Sequence, residues 1–287
     1  MIYVEWLRAR KRLVIFAGVL ATLVVLAILC VEFGYVHSDV NAHGPNHYFY
    51  LSSGSEKSPT DQPARVAVHD MLQQSTIPLD PFLMTASIIA FIFTISLYTS
   101  LYAQRESLHL AFTKPLSRTR LALNFFAVDL ASIAVLYALV IALGLFTIAA
   151  FGALNRIVAP NPGAIVPLAG VLLLYGLMQA STAWLRRGAG GMVAALWVAF
   201  VAVPSLMNTS LVQLNTIARS LWPLDPMRYL SMNASHGVYT WGSTAAYGAQ
   251  TAVWGVGGTY EATALLGFSL GIAACAIAIV NWNRVEV

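Results

Sequence analysis

Six long apolar runs constrain this chain more than any other feature, because each is long enough to cross a lipid bilayer. A membrane-spanning helix needs about 20 consecutive, mostly apolar residues. The runs that meet this requirement are 13–32, 82–103, about 121–152, about 164–185, about 189–211 and about 261–282. They predict an all-α integral membrane protein, with six transmembrane helices in a single domain, 1–287.

The composition agrees with a membrane protein and excludes an ordinary soluble domain. Hydrophobic residues make up 58% of the chain and charged residues 10%, whereas soluble domains are typically about 45–50% apolar and about 25% charged. The net charge of +4 does not indicate a nucleic-acid partner, since the position of the charges matters more than their sum. Cys30 and Cys275 both lie inside apolar runs, which argues against a disulfide framework.

The distribution of Lys and Arg predicts how the chain is oriented. Connections on one side carry eleven of these cations, and the much longer connections on the other side carry five. The positive-inside rule places the richer side in the cytoplasm. We therefore expect a multi-pass protein of the cytoplasmic (inner) membrane with both termini cytoplasmic. The segment 104–120 is then a cytoplasmic loop, and 33–81 and 212–260 are outer loops.

The outer loop 212–260 is apolar but interrupted. Pro223 and Pro226 break its first part, and 235–260 is rich in Gly, Ser and Thr without any Asp, Glu, Lys or Arg. A seventh span in 235–260 would move the C-terminus outside and weaken the charge asymmetry. Interfacial or re-entrant helices before the last span are therefore favoured, and the seventh span remains the alternative.

The cytoplasmic loop concentrates charge in a chain that has little of it. Its sequence with the flanking residues is AQRESLHLAFTKPLSRTRLAL, 103–123. Pro115 disfavours helix at Lys114, and Ser117 suits the N-cap of a new helix that becomes the third span. Two interpretations remain open. The loop is a positive-inside anchor, or it is a docking helix, since an anchor needs neither Glu106 nor the apolar Leu–Phe run.

The same loop resembles that of a known family. An Arg-Glu pair at 105–106, a short apolar helix and the run FTKPLSR at 112–118 are similar to the cytoplasmic loop of type-2 ABC transporter permeases. The layout of six spans with cytoplasmic termini is also similar, and this resemblance covers nearly the whole chain. Ser107-Leu108 departs from the Gly-Thr pair that the family often has after the acid.

The resemblance implies a permease subunit of an exporter. In that family the loop is a coupling helix that docks into a groove of a separate ATPase subunit. Two ATPase copies, with ATP and Mg bound on them, would serve this chain and a second permease copy or paralogue. The contact candidates carried over are Arg105, Glu106, Leu108, Phe112, Pro115, Ser117 and Arg118.

The chain itself shows no ATP site. A P-loop requires Lys directly after Gly, but Lys11, Lys57 and Lys114 follow Arg, Glu and Thr. We therefore predict that this chain is not an enzyme and binds no cofactor. The alternative function is a non-transporting membrane anchor or assembly factor that docks a cytoplasmic protein through the 104–120 loop.

Asp129 is the clear acid within a predicted span. Charges inside the bilayer usually find partners or mark a substrate path. A structural pair with Arg186 or Arg187 is the favoured interpretation, and a position on a substrate path is the alternative.

Two further patterns concern metal binding and helix packing. His37, His43 and His47 are the only candidates for metal binding, although ordinary loop polarity is the favoured interpretation. Gly267 and Gly271 form a small-xxx-small pattern that permits close helix approach. Packing within the chain is slightly favoured over packing between chains.

Overall fold

The protein is mostly helical in its computed structural model. Among the residues that the structure describes, five helices are long and apolar enough to cross a membrane, which agrees with a multi-pass membrane protein. The structure describes residues 2–32, 36–40, 47–51, 62–63, 77–103, 118–160, 162–182, 206, 212–230, 232–235, 238–241 and 260–284.

The long helices coincide with five of the six apolar runs. They are α1 (Ile2–Glu32), α2 (Asp80–Ala103), α3 (Arg118–Ala150), α4 (Val166–Thr182) and α7 (Tyr260–Arg284). The run at 189–211 lies outside the described residues apart from Leu206. The layout of six spans therefore stays a prediction.

Short elements lie between α4 and α7. Two short helices, α5 (Val212–Leu221) and α6 (Pro226–Leu230), occur where the sequence predicts short helices. A hairpin follows, in which β6 (Met232–Ser235) pairs antiparallel with β7 (Val238–Trp241). The sequence of β7, VYTW, is β-branched and aromatic, which favours a strand over the expected helix at this point.

The predicted outer loop 33–81 contributes a small sheet. Strand β1 (Val36–Val40) lies between β2 (His47–Leu51) and β3 (Gln62–Pro63), and both neighbours run antiparallel to it. A separate parallel pair joins β4 (Ile77–Pro78) to β5 (Ile157–Val158). These short strands are additions to the helical architecture that the apolar runs predict.

The chain divides into two compact units. The first comprises Met1–Leu13, Leu83–Tyr137 and Asn161–Val287, and the second comprises Val14–Phe82 and Ala138–Pro160. In the second unit, the Phe82 ring fills the space beside Gly144. Gly152 follows α3 with φ of 69°, a left-handed conformation that glycine adopts readily at helix ends.

Contacts within the first unit define the directions of its helices. Helices α2 and α3 are antiparallel: Leu83, at the start of α2, accepts a hydrogen bond from Tyr137, and Leu97 lies at the other end, near Asp129. Helices α4 and α7 are instead parallel. Ala169 packs beside Gly267 near their N-terminal ends. Near their C-terminal ends, Asn281 Nδ2 donates to the Ala180 carbonyl at 3.2 Å.

Candidate functional site: a buried ion pair in the first unit

A buried ion pair joins the first and third helices. Arg8 of α1 donates through Nη2 to Asp129 Oδ1 of α3 at 2.6 Å. The side chains are only 4% and 1% exposed. Charges so far from water are costly unless they are paired. The pair neutralises both charges and fixes the N-terminal part of α1 against α3.

Two more helices contribute to this pair. Tyr175 of α4 donates its hydroxyl to Asp129 Oδ2 at 3.4 Å, and Arg8 Nη1 donates to the Leu97 carbonyl of α2 at 3.4 Å. The Arg8 guanidinium also lies over the Phe125 ring, 5.6 Å from its centroid, a distance at which a cation is attracted by the ring face. We call Arg8, Asp129 and Tyr175 the polar junction; it connects α1, α2, α3 and α4.

A second arginine strengthens the attachment of α1. Arg12 Nη1 donates to the Ser96 hydroxyl of α2 at 3.1 Å. Arg8 and Arg12 are four residues apart and so share one face of the helix. Arg10 and Lys11, between them, are exposed. The cationic run at the start of α1 is thus divided between an inward pair and an outward pair.

The polar junction lies near the helix ends that flank the predicted coupling loop. Leu97 is six residues before the end of α2 at Ala103, and Asp129 is eleven residues after the start of α3 at Arg118. At 1.5 Å per residue these separations are about 9 and about 16 Å along the helices. The connection 104–117 therefore joins two helices that Arg8 holds together.

Arg8 is the member of the polar junction that sequence reasoning missed. The partners favoured for Asp129 were Arg186 and Arg187, which lie outside the described residues. In the sequence, Arg8 stands only as one of the eleven cations on the side predicted to be cytoplasmic. The available signal is its four-residue spacing from Arg12, which places both arginines on one face if the helix begins before Arg8, as α1 does at Ile2.

The predicted coupling residues are described only at their last position. Arg118 is the first described residue of α3, and the predicted N-cap Ser117 lies outside the described residues. The other candidates lie outside the described residues and stay predictions; they are Arg105, Glu106, Leu108, Phe112, Pro115 and Ser117.

The histidine candidates are not brought together by the sheet register. His37 in β1 lies opposite Tyr50, and His47 in β2 lies opposite Val40, so the two are not cross-strand neighbours. His43 lies outside the described residues. Across the part of the chain that the structure describes, no group of three or more His, Cys, Asp or Glu could hold a metal ion.

Glycines hold α4 and α7 at close distance. A Cβ atom at Gly176 would lie 2.7 Å from the Gly271 carbonyl oxygen and 2.8 Å from the Ala274 Cβ. A Cβ at Gly267 would lie 2.8 Å from the Ala169 Cβ. The predicted close approach at Gly267 and Gly271 is therefore confirmed as packing within the chain. We call this contact the glycine interface.

Helix α6 packs on the same part of α4. A Cβ at Gly170 would lie 2.8 Å from the Pro226 carbonyl oxygen. Asp225 begins α6 by accepting the Met227 backbone N–H at 2.9 Å, the usual role of an N-cap. Burial raises the pKa of Asp225 to about 6, although the Met227 hydrogen bond and the charge of Arg228 act in the opposite direction.

No protein-family model, curated protein or solved structure matches this chain. The functional argument therefore depends on the residues and contacts described above.

Proposed function

We propose that this chain is the permease subunit of an ATP-binding cassette transporter, acting as an exporter and driven by a separate cytoplasmic ATPase subunit. The observation that carries the proposal is the polar junction between the helices that flank the 104–117 connection. A loop that receives force from another protein needs such a firm attachment to the membrane helices.

The contacts suggest how movement of the loop would reach the spans. Closure of the ATPase would displace the adjoining ends of α2 and α3. Arg8 connects both helices to α1, and Tyr175 connects α3 to α4. Coupling between distant sites travels through such packed and hydrogen-bonded elements. The four helices would therefore move together and reorient a path formed with a second permease copy or paralogue.

The parallel arrangement of α4 and α7 supports six spans. Two neighbouring parallel spans require an odd number of membrane crossings between them. The apolar run 189–211 supplies one crossing, whereas a further span in 235–260 would make the number even. Six spans place both termini on one side, and the positive-inside rule makes that side the cytoplasm.

The first experiment tests docking of the ATPase. A candidate ATPase is first sought in the adjacent reading frame by its Walker A motif. The chain is then purified with this candidate, and binding and ATP hydrolysis are measured in proteoliposomes. Glu106→Lys and Phe112→Asp should each weaken binding about tenfold or more, which is a loss of about 1.4 kcal/mol. The matched controls are Glu56→Lys, which makes the same change as the first variant, and Leu154→Asp, which makes an equivalent change to the second; both lie in connections predicted to be outside. Equal binding by all four variants would contradict the proposal.

The second experiment separates transport from anchoring without knowledge of the substrate. A single spin label is placed at Val135 of α3, which is 48% exposed, after Cys30 and Cys275 have been replaced by Ala, and the distance between the labels of the two permease copies is measured. A transporter should show a change in the distance between the labels when ATP is added to the complex. An unchanged distance while the bound ATPase hydrolyses ATP would favour an anchor or assembly factor.

A further inference from the structure

An apolar cavity of about 270 Å³ lies between α3, α4 and α7 of the first unit. Its wall extends from Leu130 to Tyr137 on α3 and from Leu168 to Tyr175 on α4, with Phe268 of α7 closing it. Seven residues of helix correspond to about 10 Å. The cavity is therefore elongated along the helices.

The chemistry of the wall excludes a polar occupant. Its two hydroxyl groups are engaged elsewhere: Tyr137 donates to the Leu83 carbonyl at 3.5 Å, and Tyr175 donates to Asp129 at 3.4 Å. Water needs two to four polar partners, and an apolar cavity of about 150 Å³ in another protein stays dry and binds benzene or xenon. This larger apolar cavity accordingly selects a hydrocarbon.

The surroundings identify which hydrocarbon is available. All three helices of the wall are long and apolar enough to cross a membrane. Ala134, which lines the cavity, is exposed on α3, so the cavity is open to the bilayer at this point. Phospholipid acyl chains surround the helices there and have the elongated shape that the cavity requires.

We propose that one acyl chain of a bilayer phospholipid binds in this cavity, along α3 and α4. The favourable free energy of binding comes from packing. Atoms that line an empty void lack dispersion contacts on one side, and a bound acyl chain supplies them. Between apolar groups in a bilayer, packing of this kind replaces the hydrophobic effect as the source of association. The proposal does not depend on transport, since it needs only this chain and a membrane.

The test uses a photoreactive lipid as the probe. The full chain is reconstituted in phosphatidylcholine vesicles that contain a small fraction of phosphatidylcholine with a diazirine in its acyl chain. After irradiation, labelled residues are mapped by mass spectrometry. Leu168, Leu172 and Phe268 should be labelled severalfold more than Ile272, which is 62% exposed but does not line the cavity.

A matched pair of variants tests the assignment to the cavity. Ala134→Trp places a large ring at the opening and should reduce labelling of Leu168 and Leu172 severalfold. Ala127→Trp adds the same ring at another exposed alanine about two turns earlier on α3, and should leave the labelling unchanged. Thermal unfolding checks that both variants are folded, and Ala134→Leu replaces the Trp variant if its unfolding temperature falls.

Three results would overturn the proposal. Labelling of Ile272 equal to that of the cavity residues would indicate only unspecific contact with surrounding lipid. Unchanged cavity labelling in both filling variants of Ala134 would place the bound chain elsewhere. Labelling of Ile272 without labelling of Leu168 or Phe268 would show that no acyl chain occupies the cavity.

Discussion

Two contacts in the first unit hold membrane helices together by opposite means. The polar junction uses charge: Arg8, Asp129 and Tyr175 connect α1, α3 and α4 through buried hydrogen bonds. The glycine interface uses none. There α4 and α7 approach until the Gly176 position has no room for a methyl group.

The two contacts tolerate different kinds of substitution. An ion pair inside a membrane depends on both partners, because a single remaining charge stays buried without compensation. A glycine contact depends on volume, because the neighbouring backbone atoms cannot move aside as a flexible side chain can. The first should therefore be sensitive to charge and the second to size.

The largest effect is expected from Asp129→Asn. The amide keeps the shape of the side chain but leaves the Arg8 cation in a buried site, which should cost about 3–5 kcal/mol of the free energy of unfolding. The measurement is unfolding in detergent micelles. The double variant Arg8→Leu, Asp129→Asn removes both charges and should recover most of the loss. If the double variant lost as much free energy of unfolding as Arg8→Leu and Asp129→Asn lose together, the two side chains would not be energetically coupled.

A smaller effect is expected from Gly176→Ala. The added methyl group would lie 2.7 Å from the Gly271 carbonyl oxygen, so α4 and α7 must separate. Overpacking of this kind costs about 1–3 kcal/mol. Gly18→Ala in α1 is the matched control, because its methyl group would meet no atom within 4 Å and alanine favours helix over glycine. Equal free energies of unfolding for Gly176→Ala and Gly18→Ala would contradict close packing at the glycine interface.

The smallest effect is a pH dependence beside the glycine interface. Burial raises the pKa of Asp225 from 3.8 to about 6, so the folded state binds more protons than the unfolded state between these values. Stability should then fall as pH rises from about 4 to about 6, by on the order of 1 kcal/mol.

Asp225→Asn isolates this contribution, since asparagine also caps helices but does not titrate. The free energy of unfolding of the natural protein relative to this variant should decrease across that pH range and stay constant above it. A constant difference from pH 4 to pH 7 would contradict the raised pKa.

Much of the fold could be predicted because the signals are local. Membrane helices must satisfy their own backbone hydrogen bonds, so an apolar run of sufficient length already specifies a spanning helix. Five of the six predicted runs are helices of this kind.

Local sequence patterns specify the class of protein, the positions of these spans and the small residues that let α4 and α7 approach. The pairing of Arg8 with Asp129, 121 residues away, and the cavity beside Tyr175 follow instead from how the helices pack. Local patterns state which residues can be buried or paired. The choice among distant partners depends on which helices become neighbours, and every apolar helix offers much the same surface to the others.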